Sequence, residues 1–192
     1  MHPEQELTGS RLSQVNRAID QILAGHEPWP VLVVDRGWDL VAANEALYRL
    51  VGDVDPVLLE PPVNVIRLAP HPGGLAVRTA NLGQWRDHLL GRLAREHEVS
   101  GDGRLAALLD EFVAGGDSDA SDPAVRSTTS PADAGAPDLV VPLKLGVDDG
   151  IWSFISTSTV FGGPHEVTVS ELAIELFHPA DEQTRHANLD RA

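Results

Sequence analysis

The chain has 192 residues, 42% of them hydrophobic, and carries a formal charge of −15 from 29 acidic against 14 basic side chains. That length and apolar fraction suit one domain with a single sizeable core, and the charge repels a phosphate backbone or an anionic membrane. With no cysteine, disulfides, thiolate metal sites and cysteine nucleophiles are excluded. The polar, acidic start and the lack of any run of roughly 18 apolar residues indicate a soluble, unexported, cytoplasmic chain.

Ser10 precedes apolar residues at Leu12, Val15, Ile19, Ile22 and Leu23. This spacing predicts a capped amphipathic helix closed by Gly25 as a left-handed C-cap. Pro28 and Pro30 break it. Val31 to Asp35 and Trp38 to Ala43, separated by Arg36-Gly37, predict a two-stranded hairpin. Asn44 is placed to cap a short helix through Tyr48 and Leu50; Pro56, Pro61 and Pro62 then impose an irregular segment up to a helical turn at Val63 to Ala69.

Asn81 with Gln84 resembles a capping box, and Leu82, Trp85, Leu89 and Leu93 form one apolar stripe on a helix from Asn81 to Arg95. A second helix carries Leu105, Leu108, Leu109 and Phe112 and is expected to end at Gly115-Gly116. Residues 116–137 hold almost no large apolar side chain, which predicts a mobile loop. Alternation over Leu139 to Val147, a turn at Asp148-Asp-Gly150, a strand from Ile151 to Phe161 and alternation at Leu172, Ile174 and Leu176 predict three further strands. Thr168-Val-Ser-Glu171 is also compatible with a helix start, with the strand favoured. Two strands, a helical middle and three strands give an α+β fold: a PAS-like five-stranded antiparallel sheet covered on one side by helices, with an N-terminal helix. Residues 1–27 form a lead-in, 28–182 the domain and 183–192 a tail.

No phosphate-binding glycine loop, Gly-x-Ser-x-Gly elbow or His-Glu-x-x-His pair occurs. His71 with His88, or His165 with Glu166 and His178, matches no ligand spacing, and surface or hydrogen-bonded histidines are the plainer reading. Ser156 to Thr159 is read as a strand face rather than a nucleophile. Val31, Val33, Leu143, Leu145, Ile155, Ile174 and Leu176 are expected on one sheet face beneath the stripe of Leu82, Trp85, Leu89 and Leu93. That assembly encloses either a filled core or a small-molecule cavity. Arg67, Arg78 and Arg86 are candidate partners for an anionic head group, with ordinary ion pairing as the alternative.

Several stretches resemble one family: Pro30-Val-Leu-Val-Val-Asp35, Trp38-Asp-Leu-Val-Ala-Ala-Asn44, Asn64-Val-Ile-Arg-Leu-Ala-Pro-His71, Asn81-Leu-Gly-Gln-Trp-Arg86, Ser156-Thr-Ser-Thr-Val-Phe-Gly162 and Ser170-Glu-Leu-Ala-Ile-Glu-Leu-Phe-His-Pro-Ala-Asp181. The chain is similar to the MmyB-like transcription-regulator ligand-binding domains of actinobacteria. The resemblance implies a PAS-like sensor of an apolar ligand, with a fatty acid as one instance in the family, joined in other members to an Xre-type helix-turn-helix. Residues 1–27 are too few for that DNA-reading half, leaving a piece of a longer regulator or a stand-alone sensor as the two expectations.

The reading is therefore a non-enzymatic, ligand-sensing regulatory domain with no catalytic residue, no metal and no cofactor beyond a bound fatty acid or similar lipid. The expected wall residues are Trp38, Trp85, Leu89, Leu93, Trp152 and Ile155, with Arg86 at a head group. DNA is reached only through a helix-turn-helix outside this chain. The alternatives are a homodimerising interaction domain with a filled core, in which residues 10–24 pair with a second copy, and a small α+β enzyme using His71 or Glu175.

Overall fold

A computed structural model describes residues 3–119, 140–148, 150–161 and 172–189. The elements are α1 (Pro3–Gly25), β1 (Val31–Val34), β2 (Leu40–Ala43), α2 (Glu45–Leu50), α3 (Val65–Leu68), α4 (Leu82–Ser100), α5 (Gly103–Asp119), β3 (Leu143–Val147), β4 (Gly150–Phe161), β5 (Leu172–Pro179) and α6 (Glu182–Leu189), with 3-10 turns at Pro56–Leu59 and Ala76–Arg78. The five strands form one antiparallel sheet in the PAS-like order β2-β1-β5-β4-β3, so the last strand lies at the centre. The α+β class, the five-stranded antiparallel sheet and the succession of two strands, helices and three strands along the chain are as the sequence predicts.

The period of two along each strand fixes which residues share a face. Leu32 and Val34 of β1 lie in register with Glu175 and Ala173 of β5, Phe177 faces Ser156 of β4, and Phe154 faces Leu143 of β3. These residues look toward α2 to α5 and share the main core with Trp85, Leu89, Leu93, Leu105, Leu108 and Phe112. The alternate residues Val31, Val33 and Ile174 look the other way and bury against Ile19 and Leu23 of α1. The single sheet face expected from the sequence is thus two faces. Val31, Val33, Ile155, Ile174 and Leu176 belong to the α1 side, and only Leu143 and Leu145 of that set lie under α4. β1 is buried throughout because both of its faces are covered.

Several local expectations shift. α1 begins at Pro3 rather than at Ser10. Gly25 has no left-handed φ; the chain leaves α1 through a turn in which Trp29 N–H donates to the His26 carbonyl, 2.9 Å, and Pro28 and Pro30 supply no N–H to continue it. Trp38 stands outside β2, in the turn, with a positive φ of 64°. α4 runs past Arg95 to Ser100 and ends on Gly101, whose φ of 67° is the left-handed conformation that a glycine adopts without steric strain. Asn81 makes no capping bond to α4; its amide instead donates to the Pro142 carbonyl, 2.8 Å, and accepts from Lys144 N–H, 3.1 Å, tying the helix start to the edge strand β3. α5 continues through Gly115-Gly116 to Asp119; the rest of the expected loop, like Gly162 to Glu171, lies outside the described residues.

After Asp181 the chain forms α6, where the sequence suggested a tail. Asp181 caps it by accepting from Thr184 N–H, 2.7 Å. The fully buried Thr184 hydroxyl then accepts from Ser153 N–H, 2.9 Å, a ladder donor of β4 beyond the end of β5.

Asn44 joins the halves of the front layer. Its side-chain oxygen accepts from Leu47 N–H at the start of α2 and from Val31 N–H at the start of β1, both 3.1 Å, while its amide donates to the Trp29 carbonyl, 2.8 Å. Replacing Asn44 by alanine strands a buried donor and acceptor as well as removing a cap. We expect a loss of about 2–4 kcal/mol of unfolding free energy, read by urea denaturation, with a smaller loss for Asn44→Asp, which keeps both accepting contacts.

Candidate functional site

A cavity of about 370 Å³ lies between the inner sheet face and the helices α2, α3 and α4. Leu32, Leu143, Ser156, Glu175 and Phe177 form its floor, Trp85, His88, Leu89 and Arg92 of α4 its roof, and Leu47, Leu50, Ile66 and Leu68 its inner flank. Val41, Tyr48, Pro61 and Pro62 line it and are exposed, which marks the mouth beside the edge strand β2. Its size falls within the roughly 300–1,000 Å³ of small-molecule pockets.

The mouth is built from pieces too short to be stable helices alone, so side-chain bonds hold them. Asn64 caps α3 by accepting from Arg67 N–H, 3.2 Å, and its amide donates to the Gly37 carbonyl, 2.7 Å, and to Asp39, 2.9 Å. Gly74 allows the chain to close behind α3: a Cβ there would stand 2.0 Å from the Leu68 carbonyl oxygen.

One end of the cavity is polar. Glu175, at the middle of the central strand and 3% exposed, is held by Arg92 of α4 through two hydrogen bonds, from Nη1 at 3.0 Å and Nη2 at 2.5 Å. Arg92 Nε donates to Glu96, 3.1 Å, and the guanidinium lies over the Trp38 ring at 4.5 Å. The Trp38 indole N–H donates to the other Glu96 oxygen, 2.9 Å. Asp35 holds the left-handed Trp38 in place by accepting from the N–H groups of Gly37, 2.7 Å, and Asp39, 3.0 Å. A bulky residue at positive φ costs about 1–2 kcal/mol, and this turn is what lays the indole against Arg92. His88 stacks on Trp85, with centroids 5.3 Å apart and planes at 25°. Burial, reinforced by Arg92 and Arg95, holds the imidazole below its ordinary value, with Glu175 acting the other way.

Of the wall residues expected from sequence, Trp38, Trp85 and Leu89 line this cavity. Leu93 is fully buried in the packed core. Trp152 borders a separate, more polar cleft with Asp53 and Arg78, and Ile155 is on the α1 side of the sheet. Arg86 donates to the Phe112 carbonyl and joins α4 to α5. Arg67 forms a two-pronged exposed pair with Glu111 at 2.7 and 2.8 Å, and Arg78 donates to the Leu50 carbonyl, 2.5 Å. His71 accepts from Gly73 N–H, 3.0 Å; His178 meets Thr157, 3.1 Å, while His165 and Glu166 lie outside the described residues. Among the described residues no group of three metal-ligating side chains occurs, and no helix is long and apolar enough to cross a membrane.

Sequence reading missed Arg92. Its signal was present: Trp85, His88, Leu89, Arg92, Leu93 and Glu96 follow one helical face, so two charged residues extend the apolar stripe at i, i+4 spacing.

Removing one member of a buried pair costs about 3–5 kcal/mol because the other charge is left uncompensated. We expect Arg92→Met to lose that much in denaturant unfolding, and Arg92→Met combined with Glu175→Leu to regain most of it. His88 predicts a pH effect. Its folded-state affinity for protons is lowered, so the unfolded chain takes up the proton first and stability falls as pH drops below about 6.5. Urea midpoints measured between about pH 7.5 and pH 5.5 should fall less steeply in His88→Gln. A residual slope remains, since burial also lowers His26.

A search for curated relatives finds no match. The family model described as the MmyB-like transcription regulator ligand binding domain matches residues 15–189, a span that takes in α1's packing stripe, the whole sheet and every cavity wall. The chain belongs to that family and is a ligand-binding domain of a transcription regulator.

Proposed function

We propose that the domain senses an apolar, fatty-acyl small molecule held in the cavity under Trp85 and Leu89, without chemistry, and that it reaches DNA through a helix-turn-helix outside the described chain. The observation that carries this reading is the cavity itself: about 370 Å³ of space with an almost wholly apolar lining, where a filled core would leave none. The charge of −15 supports a division of labour in which this domain does not touch the phosphate backbone. The dimerisation alternative draws no support from α1, whose apolar stripe is already engaged by Val31, Val33 and Ile174.

Transmission follows from β1. Leu32 lines the cavity, whereas Val31 and Val33 hold Ile19 and Leu23 of α1. An occupant that fits one setting of β1 better than another shifts the population of α1 positions by its difference in affinity, and by no more. The change would reach a DNA-reading segment through α1.

Native mass spectrometry of the purified protein should show a bound lipid or accept one on addition, and the fluorescence of Trp38 and Trp85 should respond during titration with medium- and long-chain lipids. Leu89→Trp places a larger ring in the space. It should weaken binding at least about tenfold, ~1.4 kcal/mol, with little change in the unfolding midpoint. Unaltered affinity in that variant, or no binding by the unaltered protein, would remove this reading.

A further inference from the structure

We propose that the occupant is uncharged, a lipid whose head is an ester, amide or alcohol, and that Glu175 with Arg92 discriminates against free carboxylates. This rests on the reading of the cavity as a lipid site and specifies the chemical class of the lipid.

The cavity's polar end is already complete. Arg92 is the one arginine or lysine among its lining residues, and its guanidinium is engaged by Glu175 on two prongs, by Glu96 through Nε and by the Trp38 face. Among the described residues no buried side-chain nitrogen or oxygen lacks a hydrogen-bond partner. Among the described residues that line the cavity, no arginine or lysine is left waiting for an anion. The three arginines that sequence offered for a head group are occupied elsewhere: Arg67 with Glu111, Arg78 with the Leu50 carbonyl and Asp53, and Arg86 with the Phe112 carbonyl.

A carboxylate entering head-first would meet Glu175 already paired with Arg92, and would find no other arginine or lysine in the lining to take its charge. His88, also in the lining, is held toward its neutral form by burial and by Arg92 and Arg95. In a site of low effective dielectric a carboxylate left without a cation is costly to bury. An ester, amide or alcohol brings no charge. It can use the Ser156 hydroxyl or the open edge of the neutral imidazole, and it leaves the ion pair intact.

The discriminating experiment compares dodecanoate, 1-dodecanol and methyl dodecanoate near neutral pH on the full chain by isothermal calorimetry, with decyl and hexadecyl series as length controls. The neutral probes should bind at least about tenfold tighter than dodecanoate. In Glu175→Gln, with folding verified by circular dichroism, dodecanoate should gain about tenfold while the alcohol is little changed; a pocket that prefers neutral probes only because they are more apolar would keep its ratio. Dodecanoate binding as tightly as the neutral probes in the unaltered protein overturns the inference without any variant, and leaves the lipid-site reading standing. An unchanged ratio in folded Glu175→Gln overturns it too. If no probe of any length binds, this inference and the reading beneath it fail together.

Discussion

A carboxylate in the middle of the central strand, facing inward, is the constraint around which this domain is arranged. Glu175 sits between Leu32 and Ser158 in register and is 3% exposed. An isolated charge there would be prohibitive, so α4 must cross the sheet with Arg92 directly above it. Arg92 in turn presents a flat cation that Trp38 covers and a free Nε that Glu96 takes. Four side chains from three separate parts of the chain are thereby locked in one geometry. Such a pair adds little net stability against an apolar substitute. Its effect is on position: α4 is held at a fixed height over β5, and the space beside it does not close as an apolar seam would.

The remainder of the cavity wall is held by backbone capping rather than by helix strength. α2 has six residues and α3 four, lengths at which an isolated helix does not persist in water. Asn44 and Asn64 compensate by satisfying backbone groups on two elements at once. Elements kept in place by a few polar ties, bordering solvent at Tyr48, Pro61 and Pro62, belong to the low-stability end of a structure. A mouth of that kind opens at small cost, while the floor, made of a five-stranded ladder, stays fixed. The division into a rigid sheet and a loosely pinned front suits a site that must admit a guest.

Much of this was legible in the sequence because it is local. Asn44 and Asn64 each precede a helical turn and behave as caps; the Trp38 to Ala43 run does pair with β1, though Trp38 itself is in the turn; and the alternation at Leu172 to Leu176 is a strand. The facing of the strands was not legible. Alternation says that two faces differ, not which of them is covered, and here both are. Glu171, Ala173 and Glu175 look like a solvent face next to Leu172, Ile174 and Leu176, yet Glu175 points into the core because a partner 83 residues away neutralises it. No window of neighbouring residues contains that pair. Ile155 was lost for the same reason, since its pairing with His178 of β5 puts it on the α1 side; Trp152 does share the inner face with Phe154, but opposite Leu145 on the edge strand β3 it stands at a different cleft. α1 starts earlier than its apolar stripe suggests; Pro3 at the first helical position with acidic residues after it was the available signal.

The two-sided burial of β1 gives the family's role a physical route in this chain. A strand of four residues with Val31 and Val33 against α1 and Leu32 at the cavity is the thinnest possible partition between ligand and N-terminal helix. In the proposed sensing role, an occupant that displaces β1 through Leu32 would act on α1 through Val31 and Val33 and, through Asn44 bonded to Val31 N–H, on α2 at the mouth. Cavity, mouth and α1 are then three readings of one strand's position. Energetic coupling between sites requires such a shared element with more than one setting, and β1 is the element that touches all three.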